Sequence, residues 1–506
     1  MDSSLPNPEA FPLDHLTERG KPSDIALILR DRSLTYDDLS RNVGRLASWL
    51  TSKGQAGDRV ASWAAKGELT CFMPLAAARA GMIHVPINPL LKRAQVAHIL
   101  RDSGARLIVG TPSRLTLLEA DDVPANCELV EEERALGSAR EFDKAQLSAV
   151  DPNAIAAILY TSGSTGAPKG VVLSHANMWL GAAAVVQYLG LAPSDRTLAV
   201  LPLSFDYGQN QILSAFYSGG SAVPFDYLFA RDVPKACEKY GITTLAAVPP
   251  LWRQLTEVDW PEAAIDCMRR ITNSGGALTT DLVHRLQSVF PSTEIYPMYG
   301  LTEAFRSTYL PPHLVDSHPT SMGSAIPFAE ILVVRDDNSL CQPGEEGELV
   351  HCGPLVAKGY WQDEERTAER FKPAPPASRY GGLAVYSGDR VISDEDGLLY
   401  FAGRRDAMIK TMGNRISPQE IEAAAVATGF VADAVAFGIP DEEKGQGIVL
   451  IVRTLGGRDA DEALRGALKR ELPGFMQPDA IHWRFEMPIN PNGKIDRAAL
   501  IAEYSL

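Results

Sequence analysis

Between Tyr160 and Gly170 the chain reads Tyr160-Thr-Ser-Gly-Ser-Thr-Gly-Ala-Pro-Lys-Gly170, a run of hydroxyls and glycines with one lysine, directly after an apolar stretch. Glycines let backbone amides approach an anion, hydroxyls add donors, and the lysine adds charge. Thr161, Ser162, Gly163, Ser164, Thr165, Gly166 and Lys169 are therefore expected to cradle phosphate. The GxxxxGK[ST] spacing of a Walker loop is not found in this stretch. A second chemical signal is Leu201-Pro-Leu-Ser-Phe-Asp-Tyr-Gly208, where Asp206 interrupts an otherwise apolar run leading into Ile212 to Phe216. His84, His175 and His351 have no metal or triad spacing, and His175 is expected to pack at a helix start.

Such groups need a frame. From about Asp24 to Gly110, short apolar runs alternate with helical-period segments: Arg59 to Ala64, Leu75 to Ala80, Ile83 to Ile87, Ala94 to Ser103 and Arg106 to Val109. That rhythm predicts βαβ units and a buried, largely parallel sheet. It recurs where Ile155 to Tyr160, Thr197 to Pro202, Thr244 to Val248, Arg270 to Asn273 and Glu294 to Met298 read as strands, each followed by a Gly- or Pro-marked loop. In open α/β sheets ligands sit at loops beyond strand C-terminal ends. From Gly344 onward, short strands such as Gly347 to Val350, Arg390 to Ser393 and Leu398 to Phe401 predict a small β-rich subdomain. From Ala407, helix (Pro418 to Thr428, Glu462 to Glu471) and strand (Ala434 to Gly438, Ile448 to Arg453) mix in a self-contained α+β block. The expected fold is α/β: a large N-terminal domain, residues 1–404, with parallel-type sheets, helices and the β-rich subdomain, then a small C-terminal domain, residues 405–506.

Composition bounds the rest. A chain of 506 residues with 45% hydrophobic content should form at least two compact units. Its 63 acidic residues against 48 Lys plus Arg give a net charge of −15, which disfavours nucleic acid and anionic membrane surfaces. Cys71, Cys127, Cys237, Cys267, Cys341 and Cys352 form no CxxC pair and no zinc-like cluster, so they read as reduced thiols. Met1 to Gly20 lacks the basic start and apolar core of a signal peptide, and no apolar stretch approaches the roughly 18 residues of a membrane span. The expectation is a soluble, cytoplasmic protein with no membrane span and no nucleic-acid partner.

The loop at Tyr160 to Gly170 resembles the signature loop of the adenylate-forming superfamily of acyl-CoA synthetases, adenylation domains and firefly-type luciferases. Tyr299-Gly-Leu-Thr-Glu303, Ser387-Gly-Asp389, Gly403-Arg-Arg-Asp406, Lys410-Thr-Met-Gly413, Ile416-Ser-Pro-Gln-Glu-Ile-Glu422 and Asn492-Gly-Lys494 follow in that family's order and approximate spacing. The resemblance covers essentially the whole chain. Through Leu203-Ser-Phe-Asp-Tyr-Gly208 and Tyr299-Gly-Leu-Thr-Glu-Ala-Phe-Arg-Ser-Thr-Tyr-Leu310 the chain is also similar to bacterial AMP-forming acyl-CoA ligases associated with exosortase A systems. It resembles stand-alone amino-acid adenylation enzymes as well.

The resemblance implies ATP-dependent activation of a carboxylic acid to an acyl-adenylate with release of pyrophosphate. A thioester on CoA or on carrier-protein phosphopantetheine would follow. Attack on the α-phosphorus is mostly positioning and charge stabilisation, so cations and oriented donors are needed. The catalytic residues implied are Lys494, Thr302 and Glu303, with Glu303 the ligand of Mg²⁺, which takes only one or two protein carboxylates beside phosphate and water. Tyr299 would pack on adenine, Gly275, Gly276 and Ala277 would line its pocket, Asp389 would accept the ribose hydroxyls, and Arg404 would meet ribose and phosphate. Ser387 stands where threonine is more usual. Asp406 matches the hinge about which a mobile small domain turns. No carrier domain is expected in the chain, so a separate acyl or peptidyl carrier protein would act in trans. A luciferase-type oxidative enzyme and a non-catalytic nucleotide-binding scaffold are the competing readings. Lys494 argues against the scaffold, because binding alone would not require it.

By approximate register the acyl pocket comprises Phe205, Asp206, Tyr207, Asn210, Ser274, Met298 and Arg306, with Leu251 and Trp252 nearby. In amino-acid-adenylating relatives an aspartate at the place of Asp206 holds the substrate ammonium, and fatty-acyl and aryl ligases often have a histidine where Phe205 stands. The pattern leans toward an amino acid over a fatty or aryl acid. A buried, unpaired carboxylate costs several kcal/mol, so Asp206 needs a cation. That cation is either the substrate or Arg306; alternatively Arg306, with Ser274 and Asn210, recognises a second substrate carboxylate.

Overall fold

The computed structural model describes residues 9–161, 168–404, 409–411, 414–441, 445–454 and 460–504. The strands read from the apolar runs fall close to their expected places: Arg59–Trp63, Ile83–Pro86, Leu107–Gly110, Ile155–Thr161, Thr244–Ala247, Arg270–Asn273 and Glu294–Tyr299. Arg59–Trp63 lies between Ile83–Pro86 and Leu107–Gly110 in parallel register, with Glu128–Glu131 at one edge and Ile155–Thr161 beyond Ile83–Pro86. A second sheet sets Ile25–Ile28, Ser221–Pro224, Arg196–Ala199, Thr244–Ala247, Arg270–Asn273 and Glu294–Tyr299 side by side, all parallel. Strands buried on both faces account for the near-continuous apolar runs.

Two helices join these sheets. His175–Leu189 is apolar around most of its circumference and is buried nearly throughout, as a helix without a polar face must be. It gives Met178, Trp179 and Leu180 to one core and Val185 and Leu189 to the other. Asp206–Tyr217 packs beside it and carries Asp206, Tyr207, Gln209, Asn210 and Gln211 into the interior. A buried helix with that many polar residues needs a reason, and the site supplies it.

The β-rich subdomain is continuous with the parallel sheet. Thr308–Tyr309 and Ser321–Ala325 carry the hydrogen-bonded path from Glu294–Tyr299 into the antiparallel strands Leu399–Arg404, Leu383–Ser393, Glu346–Cys352 and Glu330–Val334. In the small domain Val431–Asp441 and Gly445–Thr454 form an antiparallel pair, with Ala480–Arg484 parallel to the latter. Pro418–Ala427 and Asp461–Glu471 cover one face through Ile421, Ala425, Leu464 and Leu468. Among the described residues no helix is long and apolar enough to cross a membrane.

Candidate active site

The phosphate-type loop is the connection of an antiparallel pair. Ile155–Thr161 pairs with Lys169–Ser174, and Thr161 stands opposite Lys169. Ser162, Gly163, Ser164, Thr165 and Gly166 lie outside the described residues. From the base of the loop the Lys169 ammonium donates to Glu303 Oε1 at 3.1 Å and to the Tyr360 hydroxyl at 2.8 Å. Tyr360 in turn donates to the same Glu303 oxygen at 2.6 Å. Burial alone would raise the Glu303 carboxyl; the Lys169 charge and the Tyr360 hydroxyl outweigh it and hold the group below the ordinary glutamate value. Glu303 therefore presents an ionised carboxylate beside a phosphate-type loop, the donor chemistry that Mg²⁺ takes. Sequence reasoning missed Tyr360; its one local signal is the aromatic pair after Gly359, whose φ of +126° turns the chain there.

Thr302–Ala304 is one turn of 3-10 helix. At Phe305 φ is +57° and ψ −34°, and the Arg306 amide donates to the Ala304 carbonyl at 2.6 Å. This is a γ-turn, a strained conformation for a residue with a side chain. The Phe305 ring is fully buried against Gly181, where a Cβ would collide with it. Beyond this turn Arg306 Nη1 meets Asp206 Oδ2 at 3.3 Å, with side-chain exposures of 3% and 9%. The Thr302 hydroxyl donates to Asp206 Oδ1 at 3.1 Å, and the Arg306 guanidinium lies 4.5 Å from the Tyr207 ring centroid.

Of the alternatives open for Asp206, substrate ammonium or Arg306, this geometry has the Arg306 pair. Its carboxylate already has a buried cation on one oxygen and a hydroxyl donor on the other, which is what a buried carboxylate requires. The lean toward an amino acid loses its residue.

The nucleotide-type residues converge from three elements. The Tyr299 hydroxyl donates to Asp389 Oδ2 at 2.5 Å, and the Asp389 amide donates to Ser387 Oγ at 3.0 Å. Arg404 stands opposite Asp389 in the antiparallel register. Gly276 accepts from Asn273 Nδ2 at 2.8 Å, and Ala277 is exposed. A Cβ at Gly275, whose φ is +83°, would stand 2.5 Å from Lys494 Cε, so the end of the lysine side chain would have to shift to admit it.

That contact brings the small domain's lysine to the large domain. The Lys494 amide donates to Asn490 Oδ1 at 3.0 Å and the Asn490 amide to the Lys494 carbonyl at 2.7 Å, closing a tight loop. Asn88 clamps this loop from the large domain, its Nδ2 donating to the Pro491 carbonyl at 2.9 Å and to Asn492 Oδ1 at 3.2 Å. An Arg253–Asp433 ion pair ties the two domains a second time. Nothing in the sequence singled out Asn88, since its partners lie 403 and 404 positions away. Asp406 lies outside the described residues.

Tyr207, Asn210, Met298 and Arg306 line one cavity of about 30 Å³, together with Tyr188, Gln211 and Thr244. Phe205, Asp206, Ser274, Leu251 and Trp252 are buried but are not part of its lining. Tyr207 and Thr272 share a hydroxyl hydrogen bond at 2.7 Å, and the Tyr188 hydroxyl reaches Met298 Sδ at 2.9 Å.

The histidines belong to the packing. His175 opens its helix, and its Nδ1 accepts from the Leu13 amide at 3.3 Å. Burial pushes its imidazole down to about 4, and His84 and His351 down to about 3. Among the described residues no three His, Cys, Asp or Glu side chains are grouped to hold a metal.

Residues 16–361 match the family described as AMP-binding enzyme, and residues 420–494 match the AMP-binding enzyme C-terminal domain. The chain belongs to the AMP-binding enzyme family. This AMP-binding enzyme is 28% identical to a feruloyl-CoA synthase of Amycolatopsis over 92% of each chain. It is 29% identical to an L-proline--[L-prolyl-carrier protein] ligase of Pseudomonas fluorescens over 95% of its own length and 96% of the relative's. Its fold is that of ATP-bound MatB from Rhodopseudomonas palustris, with a TM-score of 0.88 at 24% identity over 98% and 99% of the two chains. The chain also matches long synthases, of whose length it spans only 7%, 9% and 6%.

Proposed function

We propose that this AMP-binding enzyme is an AMP-forming acid–thiol ligase: it converts a carboxylic acid and ATP to an acyl-adenylate and pyrophosphate, then transfers the acyl group to a thiol. The observation that carries this is the seat of Lys494 against Gly275, a small-domain ammonium at the nucleotide-type loop of the large domain. Lys494 bridges the acid's carboxylate and the α-phosphate, Lys169 and the hydroxyls of residues 161–165 hold the outer phosphates, and Thr302 contacts phosphate. Asp389 and Arg404 bind the ribose, and Tyr299 with Gly275, Gly276 and Ala277 encloses adenine. Glu303 would hold Mg²⁺, which when bound neutralises phosphate charge. Preorganised cations and donors of this kind act at developing charge without reorganising during reaction.

The domain division falls at residues 404 and 405. Turning about Asp406 withdraws Lys494 after adenylation and admits the thiol. The acceptor is CoA or the phosphopantetheine of a separate carrier protein; one relative's name supports each. The enzyme acts in the cytoplasm on a small carboxylic acid, and Asp206 serves as the buried partner of Arg306. ATP-dependent pyrophosphate release with hydroxylamine as acyl trap, run over α-amino, β-amino, dicarboxylic, aryl and fatty acids, tests the proposal. Hydroxamate formed together with AMP supports it; ADP as product, or no product with any acid, refutes it.

A further inference from the structure

Both ends of the phosphate-type loop are tied to one helix. Arg93–Ser103 buries Val96, Ile99 and Leu100 in the core. His98 and Asp102, four positions apart, share one face of it. His98 Nε2 lies 2.9 Å from the Pro168 carbonyl oxygen, 70 positions away. A carbonyl only accepts, so Nε2 carries the proton and donates it. The Tyr160 hydroxyl donates to Asp102 Oδ2 at 2.5 Å, 58 positions away. Burial and the Asp102 carboxylate both raise the pKa of that hydroxyl, so it keeps the proton it donates.

These two anchors stand at the stem of the loop. Thr161 opposite Lys169 is the last pair of the ladder, with Tyr160 opposite Gly170 before it. Pro168 is the next residue outward. A proline has no amide hydrogen to give, so its carbonyl is the backbone group it can bond through, and His98 takes it. Lys169 thus follows directly on a residue held to the helix.

The same helix also reaches the segment that carries Tyr360, the hydroxyl partner of Lys169. The Asp102 carbonyl accepts from Trp361 Nε1 at 3.0 Å, and the Trp361 amide donates to the Gly170 carbonyl at 2.7 Å. His98 and Asp102 therefore bond the neighbours of Lys169 and of Tyr360, from a single turn of helix.

On the ligase reading above, we infer that His98 and Asp102 are positioning residues for the outer phosphates of ATP. They hold Pro168 and Tyr160 so that Lys169 and Thr161 stand in place before the nucleotide arrives. Ordering these stems beforehand removes that cost from the binding step. Each bond should contribute about fivefold in affinity for ATP.

The test titrates ATP and AMP separately into the full chain by calorimetry, with Mg²⁺ and without acid, for the unsubstituted protein and for His98→Ala, His98→Gln and Tyr160→Phe. AMP has no outer phosphates and serves as the control. His98→Ala and Tyr160→Phe should each weaken ATP about fivefold and leave AMP within about twofold. His98→Gln, whose amide nitrogen can replace Nε2 as donor, should retain most of the ATP affinity. Tyr160→Phe, which removes a single oxygen, reads the same effect where His98→Ala fails to fold. Equal losses for ATP and AMP, or unchanged ATP affinity in both variants, overturn this inference and leave the ligase reading standing. An unsubstituted protein that binds no ATP refutes the ligase reading and takes this inference with it.

Discussion

Lys169 and Glu303, 134 positions apart in the chain, stand 3.1 Å apart beneath the phosphate-type loop, and the Tyr360 hydroxyl bonds both. The lysine does two things at once: it offers charge to an incoming phosphate, and it keeps a buried carboxylate ionised. Tyr360→Phe should leave the carboxylate charged but lose one of its two bonds from other side chains. The loss is about 1 kcal/mol, near fivefold in adenylation rate. Glu303→Gln removes the charge itself and should cost on the order of 10²–10³. Pyrophosphate release measured across Mg²⁺ concentrations checks both, and equal effects of the two substitutions would contradict this division of labour.

A side chain at Gly275 would push the end of Lys494 aside, and the glycine's φ of +83° disfavours one independently. Gly275→Ala should therefore lower adenylation by about tenfold to a hundredfold by displacing the lysine, a positional fault of the kind that costs ~10². At Gly276 the nearest contact is Pro249 Cγ at 3.1 Å, and Gly276→Ala should cost far less. Steady-state rates of the two variants side by side decide it.

The clamp from Asn88 to Pro491 and Asn492 holds the lysine loop, with no part assigned to Asn88 in binding the acid. Asn88→Leu should reduce kcat for adenylation about tenfold with little change in KM for the acid. Thiol transfer from a preformed acyl-adenylate should be spared, since the clamp belongs to the arrangement that places Lys494. Equal loss in both half-reactions would show a general folding defect.

Asp206 and Arg306 should behave as a structural pair. Asp206→Ala strands a buried guanidinium and should cost about 3–5 kcal/mol of stability, measured by denaturant unfolding without substrate. Asp206→Asn combined with Arg306→Gln should recover part of it. A fully stable Asp206→Ala with a raised KM only for amino acids would restore the ammonium role.

The three buried histidines link stability to pH. Their folded values, about 4 for His175 and about 3 for His84 and His351, lie below the ordinary 6.5, so the unfolded chain binds more protons between these limits. Stability is then full above pH 6.5 and falls with acid by about 1.4 kcal/mol per pH unit for each histidine, flattening toward pH 4 to 3. Urea unfolding at pH 7, 6 and 5 should show that fall, and His175→Gln should lessen the slope by about a third.

Much of this was legible in the chain because it is local. The parallel strands announce themselves as short apolar runs, and the lysine, glutamate and aspartate of the site sit in compact motifs with Gly or hydroxyl neighbours. What the sequence hid is non-local. Tyr360 reaches Lys169 across 191 positions and Asn88 reaches Pro491 across 403, contacts that no spacing encodes. Asp206 was ambiguous for a definite reason: a buried carboxylate demands a cation, and only the γ-turn at Phe305 shows that Arg306 supplies it.

The most direct test of the ligase reading is ATP-dependent pyrophosphate release by Lys494→Ala against the unsubstituted enzyme, using the best acid of the panel, with thiol transfer from a preformed acyl-adenylate followed in parallel. The proposed function predicts an adenylation rate lower by on the order of 10²–10³ with transfer nearly intact. Undiminished pyrophosphate release in Lys494→Ala would contradict it.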